Sequence, residues 1–269
     1  MRPVLFTSVP KCGTHLLRKY FDASGFQFAG PHGTRGWEDR LVDVIGTLEP
    51  GQYASWHYHW TPELSALVAE RDIRVVCLYR DPRAQVVSNL HWILKTPAHA
   101  WHRYLADHLS LRDDRLVALI QGVSAGDVAR YFDAGVRFHD SRSAYGPRSD
   151  RRDGVVSVFG IFLGWLDDRQ CLSLRFEDVI GARGGGERSR QIDALQKLHE
   201  HTGLGTLPGR RAELLGHALF DADALTFRSG QVQDWQREFS PGVRELFAAE
   251  ANGLLDVLGY PRDVQGRAA

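Results

Sequence analysis

VLFTSVPKCGTHLLRKYF (residues 4–21) carries three signals in succession. Val4 to Val9 make a short, largely apolar run ended by Pro10, the pattern of a buried parallel strand. From Thr14 onward, Leu16, Leu17, Tyr20 and Phe21 fall on one helical face, and Gly25 supplies a stop. Pro10-Lys11-Cys12-Gly13 must therefore turn the chain between strand and helix, the opening of an α/β domain. Helix N-terminal amides lack intrahelical partners and sit at the positive end of the helix dipole, so such a loop can cradle a phosphate. The loop of ATPases, GxxxxGK[ST], is a different object. Here the lysine precedes the glycine, and the hydroxyl position that would hold Mg²⁺ is missing, which disfavours a metal-dependent NTPase.

Outward from that stretch the α/β pattern repeats. A helix over about 62–70 leads into the strand RVVCLY (74–79), and Asp81 and Pro82 read as the cap and opener of the next helix. CLSLRF (171–176) is a third strand, with further helices over about 187–202 and 241–257. Residues 95–155 carry no strand signal, SRSAYGPRSDRRDG (141–154) is expected to be a mobile loop, and GARGGGER (181–188) a second flexible stretch. No internal repeat is present. The expected architecture is a single α/β domain over 1–269, a central, mainly parallel β-sheet flanked by helices, with a mobile region about 95–155.

With 33 basic and 33 acidic side chains, no global field steers the chain to nucleic acid or an anionic membrane, so any anion must be caught locally. Cys12, Cys77 and Cys171 are odd in number and widely spaced, which argues for a reduced compartment and against a disulfide framework or a cysteine zinc site. No run approaches the ~20 apolar residues of a membrane helix, and no secretory h-region opens the chain. The expectation is a soluble, cytoplasmic protein with no membrane span. A homodimer is compatible with the sequence, which sets no oligomeric state.

Strand-PKxGT-helix near the start resembles the 5′-phosphosulfate loop of sulfotransferases that use 3′-phosphoadenosine 5′-phosphosulfate (PAPS). Three more stretches match in order. LYRDPRAQVVSNLHW (78–92) is similar to the family's 3′-phosphate motif, with Arg80 followed eight residues later by Ser88. LRFEDVIG (174–181) resembles the strand ending in Tyr-Glu-Asp, and FRSGQVQDWQREFS (227–240) the C-terminal FRKGxxGDWKxxFT. The resemblance spans roughly 4–260 and implies a P-loop NTPase-like sulfotransferase fold. It further implies that Pro10, Lys11, Cys12, Gly13, Thr14 and His15 surround the 5′-phosphate. Arg80, Ser88, Arg228, Ser229 and Gly230 would hold the 3′-phosphate, and Phe176 would lie near the adenine. Lys11 would reach the bridging oxygen as it gains charge. No metal is required. Bland readings stand beside these. Lys11 and Arg80 could be ordinary strand-end charges, Ser88 a helix hydroxyl bonded to its own backbone, and Trp235 and Phe239 packing residues.

Sulfuryl transfer needs a base to take the acceptor's proton, and histidine suits it. ASWHYHWTPEL (54–64) resembles the family's GHLxYxPEL segment and places His57 on the catalytic position, with His59 as the alternative. On an extended segment the two alternate, so only one faces the donor. His15, His91 and His102 lie near the motifs as well, and a His-x-His metal site lacks a third partner at ligand spacing. Cys12 replaces the usual loop serine, and a thiol at a helix N-terminus is expected to have a lowered pKa. Ser229, Gln233, Gln236 and Phe176 also depart from the pattern. The implied reaction is in-line transfer of a sulfuryl group to a hydroxyl, or less readily an amine, of a small-molecule or glycan acceptor. Trp56, Tyr58, Trp60, His91, Trp92 and Trp101 would suit an aromatic or apolar one. The alternatives are a non-catalytic protein of the same fold that binds PAPS or its product, adenosine 3′,5′-bisphosphate (PAP), and a P-loop kinase using ATP.

Overall fold

The computed structural model describes residues 1–30, 43–133, 136, 151–220 and 231–263. Arg228, Ser229 and Gly230 lie outside them, as does most of the 141–154 stretch. Its main elements are β1 (Val4–Ser8), α1 (Thr14–Ala23), β2 (Gln27–Phe28), β3 (Gln52–Trp56), α2 (Pro62–Glu70), β4 (Arg74–Tyr79), α3 (Pro82–Lys95), α4 (Arg112–Gln121), α5 (Ala125–Tyr131), α6 (Val155–Gly160), β5 (Cys171–Arg175), α7 (Arg188–His201), α8 (Gly209–Leu219) and α9 (Pro241–Leu258).

The chain forms two compact units, Met1–Arg80 with Phe162–Val232 and Asp81–Ile161 with Gln233–Ala269. The first holds the whole sheet. Its five strands run β2-β3-β1-β4-β5, every adjacent pair parallel. β1 is buried from end to end and bonded on both edges, Thr7 opposite Trp56 of β3 and opposite Cys77 of β4. From β1 the chain steps out to β2 and β3 on one side, then crosses to β4 and β5 on the other. The carboxyl end of β1 is thus a topological switch point, where open parallel sheets form a crevice.

The helical face expected for α1 is the one buried. Leu16, Leu17, Tyr20 and Phe21 enter a core shared with Val4, Phe6, Tyr53, Val76, Leu78, Leu174, Leu195 and Leu198. The Phe21 and Tyr53 rings stack with centroids 4.9 Å apart. Thr61 caps α2, accepting from the Leu64 amide, with Pro62 in the first turn where a missing N–H costs nothing.

Three sequence expectations need correction. β3 was not an expected strand, because QYASW is short and of mixed polarity, yet pairing on both sides buries Tyr53, Ala54 and Ser55. The third strand ends at Arg175, and Phe176 instead begins a short helix, Phe176–Val179, which frees its ring from strand alternation. The glycine-rich stretch 181–186 is a packed turn and no loose connector. A Cβ on Gly181 would fall 2.3 Å from the Gln191 side chain, and one on Gly186 2.5 Å from the Glu177 carbonyl.

The second unit is helical where it is described, apart from an isolated bridge between Val123 and Arg152. α9 buries Val243, Phe247, Ala251, Leu254, Leu255 and Leu258 and packs on α4, α6 and α3. Trp235 and Phe239 are packing residues. Both are buried, and the Arg83 guanidinium lies 4.1 Å and that of Arg244 5.1 Å from the Trp235 ring centre. Among the described residues no helix is long and apolar enough to cross a membrane.

Asp81 caps α3 as expected, accepting from the Arg83 amide at 2.9 Å. The same carboxylate takes two guanidinium bonds from buried Arg83, Nε at 2.9 Å and Nη2 at 2.7 Å. Asp81→Ala therefore strands a buried cation as well as removing a cap. Its expected cost is about 3–5 kcal/mol in denaturant melts, whereas Asp81→Asn, which can still accept from the amide, should lose less.

Candidate active site

Three chain segments meet at the carboxyl end of the central strands: loop 9–13 after β1, His57 after β3, and Arg80 after β4. Loop 9–13 is held by the Val9 amide on the Leu78 carbonyl and closed by the Cys12 amide on the Val9 carbonyl. Lys11 (φ +68°) and Gly13 (φ +99°) both take left-handed conformations. These two reversals send Cys12 inward, fully buried, while Lys11 and Gly13 stay half-exposed. Gly13 has a second reason to lack a side chain, since a Cβ would lie 2.7 Å from the Phe176 ring.

α1 begins at Thr14 with no side chain capping it at Gly13. The Thr14 hydroxyl instead shares a 2.7 Å hydrogen bond with the Ser8 hydroxyl. Such an uncapped N-terminus is a place for an anion.

The buried Cys12 thiol overturns the expectation of an activated thiolate. Burial pushes its pKa far up, and the nearby Arg80 and Lys11 cations do not offset that. The same burial pulls the Lys11 ammonium down to about 8, with Arg80 adding to the effect and Cys12 opposing it. Lys11 is thus a cation at neutral pH that is unusually ready to lose its proton.

His57 donates from Nδ1 to the Ser8 carbonyl at 2.6 Å. A carbonyl can only accept, so the proton sits on Nδ1 and the Nε2 lone pair is left to take another. Burial holds the imidazole below its ordinary pKa, the Ser8 bond resisting and the Lys11 and His15 charges assisting. The ring is therefore neutral at physiological pH. The His59 ring lies edge-on to Phe162, with centroids 5.3 Å apart.

Arg80 is only 6% exposed. Its guanidinium lies 4.5 Å from the centre of the Phe176 ring, and Nη2 donates to the Gln231 carbonyl at 2.8 Å. Its Nε is buried with no hydrogen-bond acceptor among the described residues. A buried unsatisfied donor is costly, and an anion would relieve it.

The first unit thus gathers Pro10 to His15, His57, Arg80 and Phe176, while Ser88 lies on α3 in the second. The aromatic group named from sequence divides too. Trp56, Tyr58 and Trp60 are in the first unit and His91, Trp92 and Trp101 in the second. Trp60 packs on Gly164 and donates to Asp168 at 3.1 Å. Tyr58 and Trp101 are core residues, and His91 meets Glu238. Ser8 and Gln231 were missed by sequence reading. Ser8 neighbours His57 only through the β1–β3 register, and Gln231 reaches Arg80 through its backbone carbonyl, which any residue possesses.

No family model matches the chain, and no curated protein matches it. Solved structures do. The crystal structure of mouse sulfotransferase SULT7A1 complexed with PAP covers 96% of this chain and 88% of its own, at 16% identity and a TM-score of 0.58. Retinol dehydratase in complex with androsterone and the inactive cofactor PAP covers 100% of this chain and 83% of its own, at 12% identity and TM-score 0.57. The same enzyme in a complex with retinol and PAP gives 12% identity and TM-score 0.57, covering 100% and 84%. The chain therefore has the sulfotransferase fold.

Gly13→Ala tests the loop geometry directly. The left-handed backbone and the overlap with Phe176 together should cost about 2–4 kcal/mol, read as a lowered denaturation midpoint.

Proposed function

We propose that the chain is a sulfotransferase that moves a sulfuryl group from PAPS to a hydroxyl of a small-molecule acceptor. One observation carries the reading. His57 is held by the Ser8 carbonyl with its Nε2 lone pair left over, beside the lysine-bearing loop 9–13, in a fold shared with sulfotransferases solved with PAP. In this reading His57 Nε2 takes the acceptor's proton as the new S–O bond forms. The bond from sulfur to the bridging phosphate oxygen breaks, and its electron pair stays on the 5′-phosphate, where the Lys11 cation stabilises the charge. The amides of Gly13 and Thr14 hold the 5′-phosphate. Arg80 answers the 3′-phosphate, the group to which the sequence resemblance also assigns Ser88, Arg228, Ser229 and Gly230. An acceptor with an apolar or ring-bearing body is favoured, and the protein works in the cytoplasm.

The reading is tested by titrating the protein with PAP and with ATP, and by offering labelled PAPS with a panel of small hydroxylated acceptors. PAP binding with transfer supports it. PAP binding without transfer to any acceptor favours a non-catalytic relative, and preference for ATP favours a kinase.

Two further outcomes follow from the histidine and the lysine. His57→Ala should lower kcat by about 100-fold or more while leaving PAP affinity nearly intact, whereas His59→Ala should change kcat far less. Because the His57 pKa is lowered, the acid limb of kcat/KM should lie below the ordinary histidine range. For Lys11 the sign runs the other way. An anion favours the protonated amine, so PAP affinity should be greatest below pH 8 and fall as pH rises through about 8. Lys11→Met should flatten that dependence in calorimetric titrations.

A further inference from the structure

The resemblance places Phe176 near the adenine, and the structure adds two protein contacts of its ring. One part of it is filled by the Arg80 guanidinium, 4.5 Å from the ring centre, and its edge meets the backbone of Gly13. We propose that Phe176 is a positioning residue for Arg80, and that through Arg80 it sets the preference for nucleotides bearing a 3′-phosphate. The inference rests on the reading of Arg80 given above.

A guanidinium is planar, and its donors are useful only if the plane is held. Three features hold this one. The Phe176 ring fixes its face. The Gln231 carbonyl takes one Nη2 hydrogen. Burial removes the water that would otherwise let it swing. The Gln231 carbonyl is itself fixed, because the Val232 amide donates to the Gly184 carbonyl at 3.0 Å and the Gln231 side chain to the Arg183 carbonyl at 3.1 Å. A Cβ on Gly185 would lie a tight 3.3 Å from Val232 Cγ2, and the φ of +81° there also favours glycine, so the glycine-rich turn packs closely on this segment. The result is an arginine with a buried Nε kept for an acceptor that the described protein does not supply. A 3′-phosphate oxygen has the charge and reach for that role.

On this proposal a phenylalanine can stand where the family pattern has tyrosine. The ring face acts on Arg80 and the ring edge on Gly13, and neither contact uses a hydroxyl.

The test compares PAP with adenosine 5′-phosphate, which lacks the 3′-phosphate, in calorimetric titrations of the full chain. Phe176→Leu keeps an apolar side chain against Gly13 and removes the ring. Phe176→Tyr keeps the ring. Phe176→Leu is expected to weaken PAP by about tenfold and leave adenosine 5′-phosphate unchanged, with Phe176→Tyr restoring wild-type selectivity. An equal loss for both nucleotides would assign Phe176 to the adenine or to general packing and overturn the proposal, as would unchanged selectivity in Phe176→Leu. A wild-type protein that does not distinguish the two nucleotides would instead overturn the reading of Arg80, and this inference with it. Thermal melts of each variant without nucleotide separate loss of folding from loss of selectivity.

Discussion

The site depends on the hydrogen bonding of β1 along both edges. A parallel strand bonded on two sides has one register with each neighbour, and the two registers together decide which chain ends lie side by side. Trp56 opposite Thr7 brings His57 beside Ser8, and Leu78 opposite Ser8 carries the next strand on to Arg80. A slip of one residue would turn every side chain of β1 to the other face and separate all three. The geometry of the site is thus inherited from a sheet whose stability comes from Val4, Leu5, Phe6 and their neighbours. Within loop 9–13, positive φ falls at Lys11 and Gly13.

One region of low water access does three different things to three groups. Lys11 is brought close to neutrality yet keeps its proton at pH 7. His57 is held neutral with its lone pair to spare. Cys12 is silenced. The cause is the same in each case, because burial disfavours whichever form is charged, and the outcome follows from which form that is.

Much of this was legible in the chain. The apolar run of β1, the helical face of α1, the strand at 74–79 and the Asp81-Pro82 opening are local patterns, and each appears where its chemistry placed it. What was not legible depends on partners distant in sequence. QYASW looks too polar for a buried strand until β1 and β2 pair with it. Phe176 reads as the end of a strand, and only the turn into a helix frees its ring for Arg80. Cys12 reads as a helix-N-terminal thiol with a lowered pKa, and the left-handed backbone on both sides of it buries it instead. GARGGGER has the composition of a linker, but its glycines are close-approach sites for Gln191, Glu177 and Val232.

The inward turn of Cys12 gives the molecule a clock. An alkylating reagent reaches a fully buried thiol only when the surrounding chain opens, so the rate of reaction counts openings of the loop. Whatever occupies the crevice and steadies that loop must slow the count, whether or not any chemistry follows. The cysteine that replaces the usual loop serine is thus a native probe of how often that loop opens.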